Sequence, residues 1–121
     1  MNDAIDKVKA SQLVDFETLL TTATLTVTRT TLRQGGEVPW HRHAEVRDCF
    51  NVSEGVIDIL TDNGAPPLRL APGEQGFVTP GVGHRVVNAG TSDATFVLVQ
   101  TGGKHDFLAL DSAKSATGTF Q

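Results

Sequence analysis

Hydrophobic and polar positions alternate along most of this chain in short runs. TATLTVTRTTLR (residues 22–33) sets threonines against Leu25, Val27 and Arg29, so one face of an extended segment is largely apolar and the other hydroxyl-lined. Similar runs rich in Thr, Val, Ile, Leu and Phe recur between turn signals: Gly35-Gly36, Gly55, Gly64 to Pro67, Pro72-Gly73, Pro80-Gly81, Gly90 and Gly102-Gly103. The breaks leave no room for a helical stripe of useful length. The pattern predicts strands over 22–33, 37–43, 46–53, 56–61, 67–70, 75–79, 84–88 and 94–101, with LVDF (residues 13–16) as a further edge strand. A frayed helical turn is expected near Asp3, and a poorly ordered, small-residue tail from Ser112. The fold class expected is all-β, a single antiparallel barrel with its core over about residues 22–110.

Composition narrows the function. With 121 residues the chain fits one domain. It is 39% hydrophobic and 20% charged, which suits a packed core and not a disordered segment. The longest apolar runs, Phe96 to Val99 and Phe107 to Leu110, are far too short to span a membrane, and the first residues carry no secretory pattern. A net charge of −4 without a Lys/Arg cluster argues against a nucleic-acid partner. The single Cys49 excludes an internal disulfide and a multi-cysteine zinc site, and suits a reducing cytoplasm.

The candidate chemistry lies in the histidines. His41 and His43 form WHRH on a predicted strand, so both project from one face with Cα atoms roughly 6.5–7 Å apart. Imidazoles at that spacing can converge on one ion, although an isolated H-x-H is more often a surface or packing pair. The flanking spacing is more specific. GGEVPWHRHAEVRDCFNVSEG places Gly35, His41, His43, Asp48 and Gly55 in register, and GEQGFVTPGVGHRVVN does the same for Gly73, Thr79, Gly81, His84 and Asn88.

These segments resemble the two motifs of the cupin superfamily, G-x5-H-x-H-x4-E-x6-G and G-x5-P-x-G-x2-H-x3-N, with every spacing met. The resemblance covers Gly35 to Asn88 directly and residues 22–101 through the strand pattern. It implies a small jelly-roll barrel, a double-stranded β-helix, whose lumen holds one divalent metal through His41, His43, His84 and a carboxylate. Two positions depart from the motifs: Asp48 stands where glutamate is usual, and Thr79 where the first proline is usual. An aspartate reaches about 1.5 Å less far, one carbon–carbon bond. Either the strand brings Asp48 to the ion, or Asp48 orients a water from the second shell.

The resemblance further implies about two open positions on an octahedral ion, or three if Asp48 stands back. A nitrogen-rich, sulfur-free set suits Fe, Mn, Ni, Zn or Cu. The expected function is a metalloenzyme on a small oxygenated molecule, with dioxygenase-type cleavage of an enol or diketone-like chelate favoured. Redox-neutral isomerase or lyase chemistry on a sugar-acid-like substrate is one alternative, and a non-catalytic ligand-binding barrel with a structural metal is another. Asp48 is the candidate acid–base group, since the chain has no tyrosine. If Asp48 points inward, so do Phe50 and Val52, with Cys49 and Asn51 facing out. Phe50 and Gln100 are candidate substrate contacts; Gln100 is equally well read as a strand-end amide serving the backbone. Arg29 and Arg33 share a face and either hold a carboxylate or lie exposed. Trp40 is expected on the side opposite His41, Glu45 and Arg47 as solvated charge, and His105 as a surface or cap residue. A homodimer paired through the N-terminal strands completes the expectation.

Overall fold

In a computed structural model of the protein, residues 12–111 are described. The expected turn near Asp3 and the tail from Ser112 lie outside them. The described residues form ten strands and no helix: β1 (Val14–Thr21), β2 (Leu25–Leu32), β3 (Glu37–Arg42), β4 (Arg47–Glu54), β5 (Ile57–Thr61), β6 (Leu68–Leu70), β7 (Gln75–Val78), β8 (His84–Asn88), β9 (Ala94–Thr101) and β10 (Leu108–Ala109). They build two antiparallel five-stranded sheets, ordered β1-β2-β9-β4-β7 and β10-β3-β8-β5-β6. The sheets do not join into one hydrogen-bonded ring. The expected barrel is therefore realised as two facing sheets, the jelly-roll form of a double-stranded β-helix.

The core fills the space between the sheets. Leu32, Phe50, Val52 and Phe96 come from one sheet, and Val38, Ile57, Ile59 and Val86 from the other. Alternation on β4 sends Asp48, Phe50 and Val52 inward and leaves Cys49 and Asn51 half-buried on the far face, as the pattern predicted. On β3 strict alternation fails. Val38 and His41 are both buried although three positions apart, because the pairing of β3 with β8 shifts register between them. That irregularity turns His41 inward below a buried valine.

One expectation needed correction. The long strand over 22–33 is the second arm of a hairpin: β1 occupies eight residues, and the chain turns at Thr22 to Thr24 before β2 begins. The turn has no glycine or proline. Thr22 closes it, its hydroxyl accepting from the Thr24 and Leu25 amides at 3.3 and 3.1 Å and its own amide donating to the Leu25 carbonyl at 2.7 Å. The hairpin also turns the hydroxyl-lined face of β2 toward the interior. Arg29 and Arg33 point outward and pair with Glu17 and Asp15, each at 2.6 Å, which is the exposed alternative of the two expected for them. β10, a strand not anticipated from the pattern, and the segment before it return along β3, with the Leu110 amide bonded to the Trp40 carbonyl.

Gly35, Gly55 and Gly81 all adopt positive φ, as tight turns between strands require. At Gly55 (φ +71) a Cβ would also collide with the Asp93 carbonyl and Ala94. Gly81 (φ +84) donates its amide to the His43 carbonyl at 2.8 Å, joining the loop before His84 to the end of the H-x-H pair.

Candidate metal centre

His41, His43, Asp48 and His84 meet between the sheets, all buried, with one candidate ligand atom from each lying within 4.8 Å of every other. β3 and its continuation supply the first two, β4 supplies Asp48, and β8 supplies His84, which pairs across from His41. Each imidazole is oriented from behind. The Nδ1 atoms of His41, His43 and His84 lie 2.7, 2.5 and 2.9 Å from the carbonyl oxygens of Pro39, Asp106 and Val82. A carbonyl only accepts, so each Nδ1 carries a proton, and in the neutral ring Nε2 presents a lone pair to the common centre.

Asp48 completes this donor set. Its Oδ2 is 2.9 Å from His84 Nε2 and 3.3 Å from His43 Nε2. Donors at neighbouring corners of an ion, each about 2.1 Å from it, stand about 3 Å apart. The strand thus brings the shorter side chain to the distance of a direct neighbour. Opposite corners are about 4.2 Å apart, so the set needs only a small contraction to surround an ion. Lone pairs and a carboxylate facing one another at such distances repel unless a cation lies among them, a proton on a ring or a metal ion. The chemistry of the group therefore fits a divalent transition metal.

The protonation tendencies agree. Burial, with the adjacent His84 and His43 rings, holds His41 well below the ordinary imidazole value. For His43 burial acts the same way but is outweighed by the Asp48 carboxylate and the Asp106 carbonyl, so its pKa is raised. Burial would raise Asp48, but hydrogen bonds from His43 and His84 prevail and hold it well below the usual carboxylate range.

Gln100 is buried and faces the group. Its amide donates to Asp48 Oδ1 at 3.0 Å and lies 3.3 Å from His43 Nε2, so it serves a side chain and not the backbone. Phe50 is buried beside it, and both line a cavity of about 590 Å³ that reaches His41, His43 and Asp48. The cavity mouth includes Thr21, Thr22, Lys104 and His105. His105 is exposed, as expected, yet its ring centroid is 5.7 Å from that of His43. Trp40 is half-buried away from the cavity. Arg47 lies over the Phe77 ring at 4.1 Å, and Glu45 accepts from the Lys104 amide at 3.1 Å. Asn88, the last motif residue, donates to the Leu32 and Ser92 carbonyls and organises a turn.

Sequence reasoning missed Asp106 and Phe107. Phe107 is buried and stacks on His41, with centroids 4.3 Å apart and planes 12° from parallel. Besides receiving the His43 Nδ1–H, Asp106 accepts from the Ala44 amide at 3.1 Å through its carboxylate. The apolar run beginning at Phe107 was the one available signal.

The architecture and site define a jelly-roll protein with three histidines and an aspartate converging in its lumen. Residues 28–100 match the family described as Cupin domain, and the chain belongs to that family. No curated protein matches its sequence. Among solved structures it is similar to an uncharacterized conserved protein with a double-stranded β-helix domain from Klebsiella pneumoniae (25% identity, TM-score 0.72, covering 90% of this chain and 96% of that one). It is also similar in fold to KdgF from Halomonas sp. (15%, TM-score 0.70, covering 80% and 86%). A third likeness is to oxalate decarboxylase from Lactobacillus farciminis (16%, TM-score 0.73, 83% of this chain but 32% of that one).

Proposed function

We propose that the chain is a metal-dependent enzyme whose divalent ion is held by His41, His43, His84 and Asp48. Its substrate is a small oxygenated molecule, an enol or diketone-like chelate cleaved with dioxygen. The observation that carries this reading is the cavity of about 590 Å³ opening onto the donor group. A metal serving stability alone would be enclosed by packed side chains, whereas a substrate needs such a space beside the ion. A bound first-row ion would polarise two adjacent substrate oxygens and open the carbon frame between them to dioxygen. The protein's share is placement and exclusion of water. Phe50, Phe96 and Leu98 give the frame an apolar wall, and Gln100 fixes Asp48 as the interior acceptor for the enolic proton.

A redox-neutral isomerase or lyase acting on a sugar acid is the second reading. Lys104 and His105 at the mouth favour it, since they offer a cation for a carboxylate and a group to move a proton. Elemental analysis of protein purified without chelators, followed by turnover of an enol and diketone panel with and without oxygen, separates the two. Stoichiometric oxygen uptake supports the oxygenase, and undiminished anaerobic turnover excludes it. Protein that takes up no divalent ion rules out both.

The functional unit is proposed to be a homodimer paired along β1, in a reducing cytoplasm. Among the described residues no strand covers the outer edge of β1, and Leu19 and Leu20 on it are exposed. A single-chain mass of 12.9 kDa by light scattering would refute the pairing. No helix among the described residues is long and apolar enough to cross a membrane.

A further inference from the structure

The inward face of β2 reads Thr26, Thr28, Thr30, Leu32, an inversion of the usual arrangement in which hydroxyls face out. Thr30 is 1% exposed, yet neither its hydroxyl nor that of Thr28 finds a hydrogen-bond partner among the described residues. No buried side-chain polar atom there is left unsatisfied, so the Thr30 hydroxyl lies on the cavity surface. A hydroxyl deep in a core without a partner is costly, and an apolar residue of the same shape would pack as well. The placement is also specific. Register sets Thr28 beside Leu98 and Thr30 beside Phe96 on β9, so the two hydroxyls form a polar stripe between apolar neighbours. Gln100 and Asp48 pair at the level of Thr26. Thr28 therefore lies about 12 Å along the wall from Asp48, two inter-strand spacings across and one residue pair further along the strand.

We infer that Thr28 and Thr30 hydrogen-bond a neutral hydroxyl or carbonyl at the end of the substrate remote from its chelating oxygens. This rests on the proposed metal-dependent function and specifies its substrate class. The distal group is uncharged because no lysine or arginine of the cavity lining stands beside Thr28 and Thr30 among the described residues: Arg29 and Arg33 are turned outward into ion pairs, and Lys104 is an exposed lining residue. A carboxylate beside Thr30 would lose its hydration for two neutral donors, whereas a hydroxyl would exchange water for them at little cost.

Three hydroxypyranones with one chelating head test this: kojic acid (distal hydroxymethyl), allomaltol (methyl) and comenic acid (carboxylate). Each is titrated into Co(II)-loaded protein and followed by the visible cobalt spectrum. Kojic acid is expected to bind about fivefold tighter than allomaltol, and comenic acid more weakly than both. Thr28→Val and Thr30→Val are expected to bring the kojic-to-allomaltol ratio toward one without changing cobalt or allomaltol affinity, and Thr→Ser at either position to keep it. Equal binding of the three by the unaltered protein, or a ratio that survives the double valine variant, overturns the inference while leaving the metal site standing. Failure to bind cobalt, or a spectrum no pyranone perturbs, overturns the functional reading along with it. If a valine variant fails to fold, the ratio in the unaltered protein still decides.

Discussion

Gln100→Leu isolates the support of the donor group, because leucine keeps the side chain's size and removes only its amide. In the metal-free protein the bond from Gln100 to Asp48 Oδ1 at 3.0 Å is lost, leaving that oxygen of a buried carboxylate without a protein partner. Hydrogen bonds to charged groups contribute about 1.5–3 kcal/mol, and an abandoned buried acceptor forfeits an amount of that order. At roughly 2.1 cal/mol/K per residue, 121 residues unfold with an entropy near 0.25 kcal/mol/K, so each kcal/mol moves Tm by about 4 °C. The expected drop is about 6–12 °C, measured by circular dichroism in EDTA, with Thr101→Ala as an exposed neighbouring control. Metal affinity should weaken by about 10–100-fold, as when a group orienting a ligand is removed. A metal-free Tm within about 2 °C of the unaltered protein would refute the reasoning. It would mean that solvent in the cavity satisfies Asp48 as well as Gln100 does.

Other substitutions and conditions follow from the same geometry. His41→Ala and His84→Ala should each abolish tight metal uptake in elemental analysis while the far-ultraviolet spectrum stays that of a folded β protein. Phe107→Ala removes a buried ring stacked on His41 and should cost about 3 kcal/mol in urea unfolding; less than about 1 would show that the segment does not pack there. His43 has a raised pKa in the metal-free fold, so its contribution to stability is complete below about pH 6.5 and is lost as pH rises through that raised value. A metal takes the place of the proton, so the rise in Tm on adding metal should widen from pH 6 to pH 8.5. A constant increment across that range would contradict it.

The parts legible in the sequence were those set by spacing and by local chemistry. Asp48, Phe50 and Val52 face inward because a strand has period two, and His41, His43 and His84 converge where their motif spacings put them. Asp48 carried an ambiguity of reach that the sequence leaves open; in the fold its Oδ2 stands 2.9 Å from His84 Nε2. What escaped depended on non-local packing. The turn at Thr22 uses a threonine hydroxyl in place of glycine or proline, so two strands looked like one with a short neighbour. The inward face of β2 could not be inferred from its amphipathicity, because its threonine side faces the cavity. Asp106 acts on His43 through its backbone carbonyl, and no side-chain pattern records a carbonyl's position.

That carbonyl also fixes an order of events. All four donor side chains have been synthesised once residue 84 is added, yet the acceptor that orients one of them is added twenty-two residues later. A nascent chain halted at residue 103 would hold every donor and still lack the peptide group behind His43 and the ring over His41. Completion of the donor group therefore waits on the last segment to settle, and a chain cut short there should bind added divalent metal more loosely than the full chain even with both sheets largely assembled.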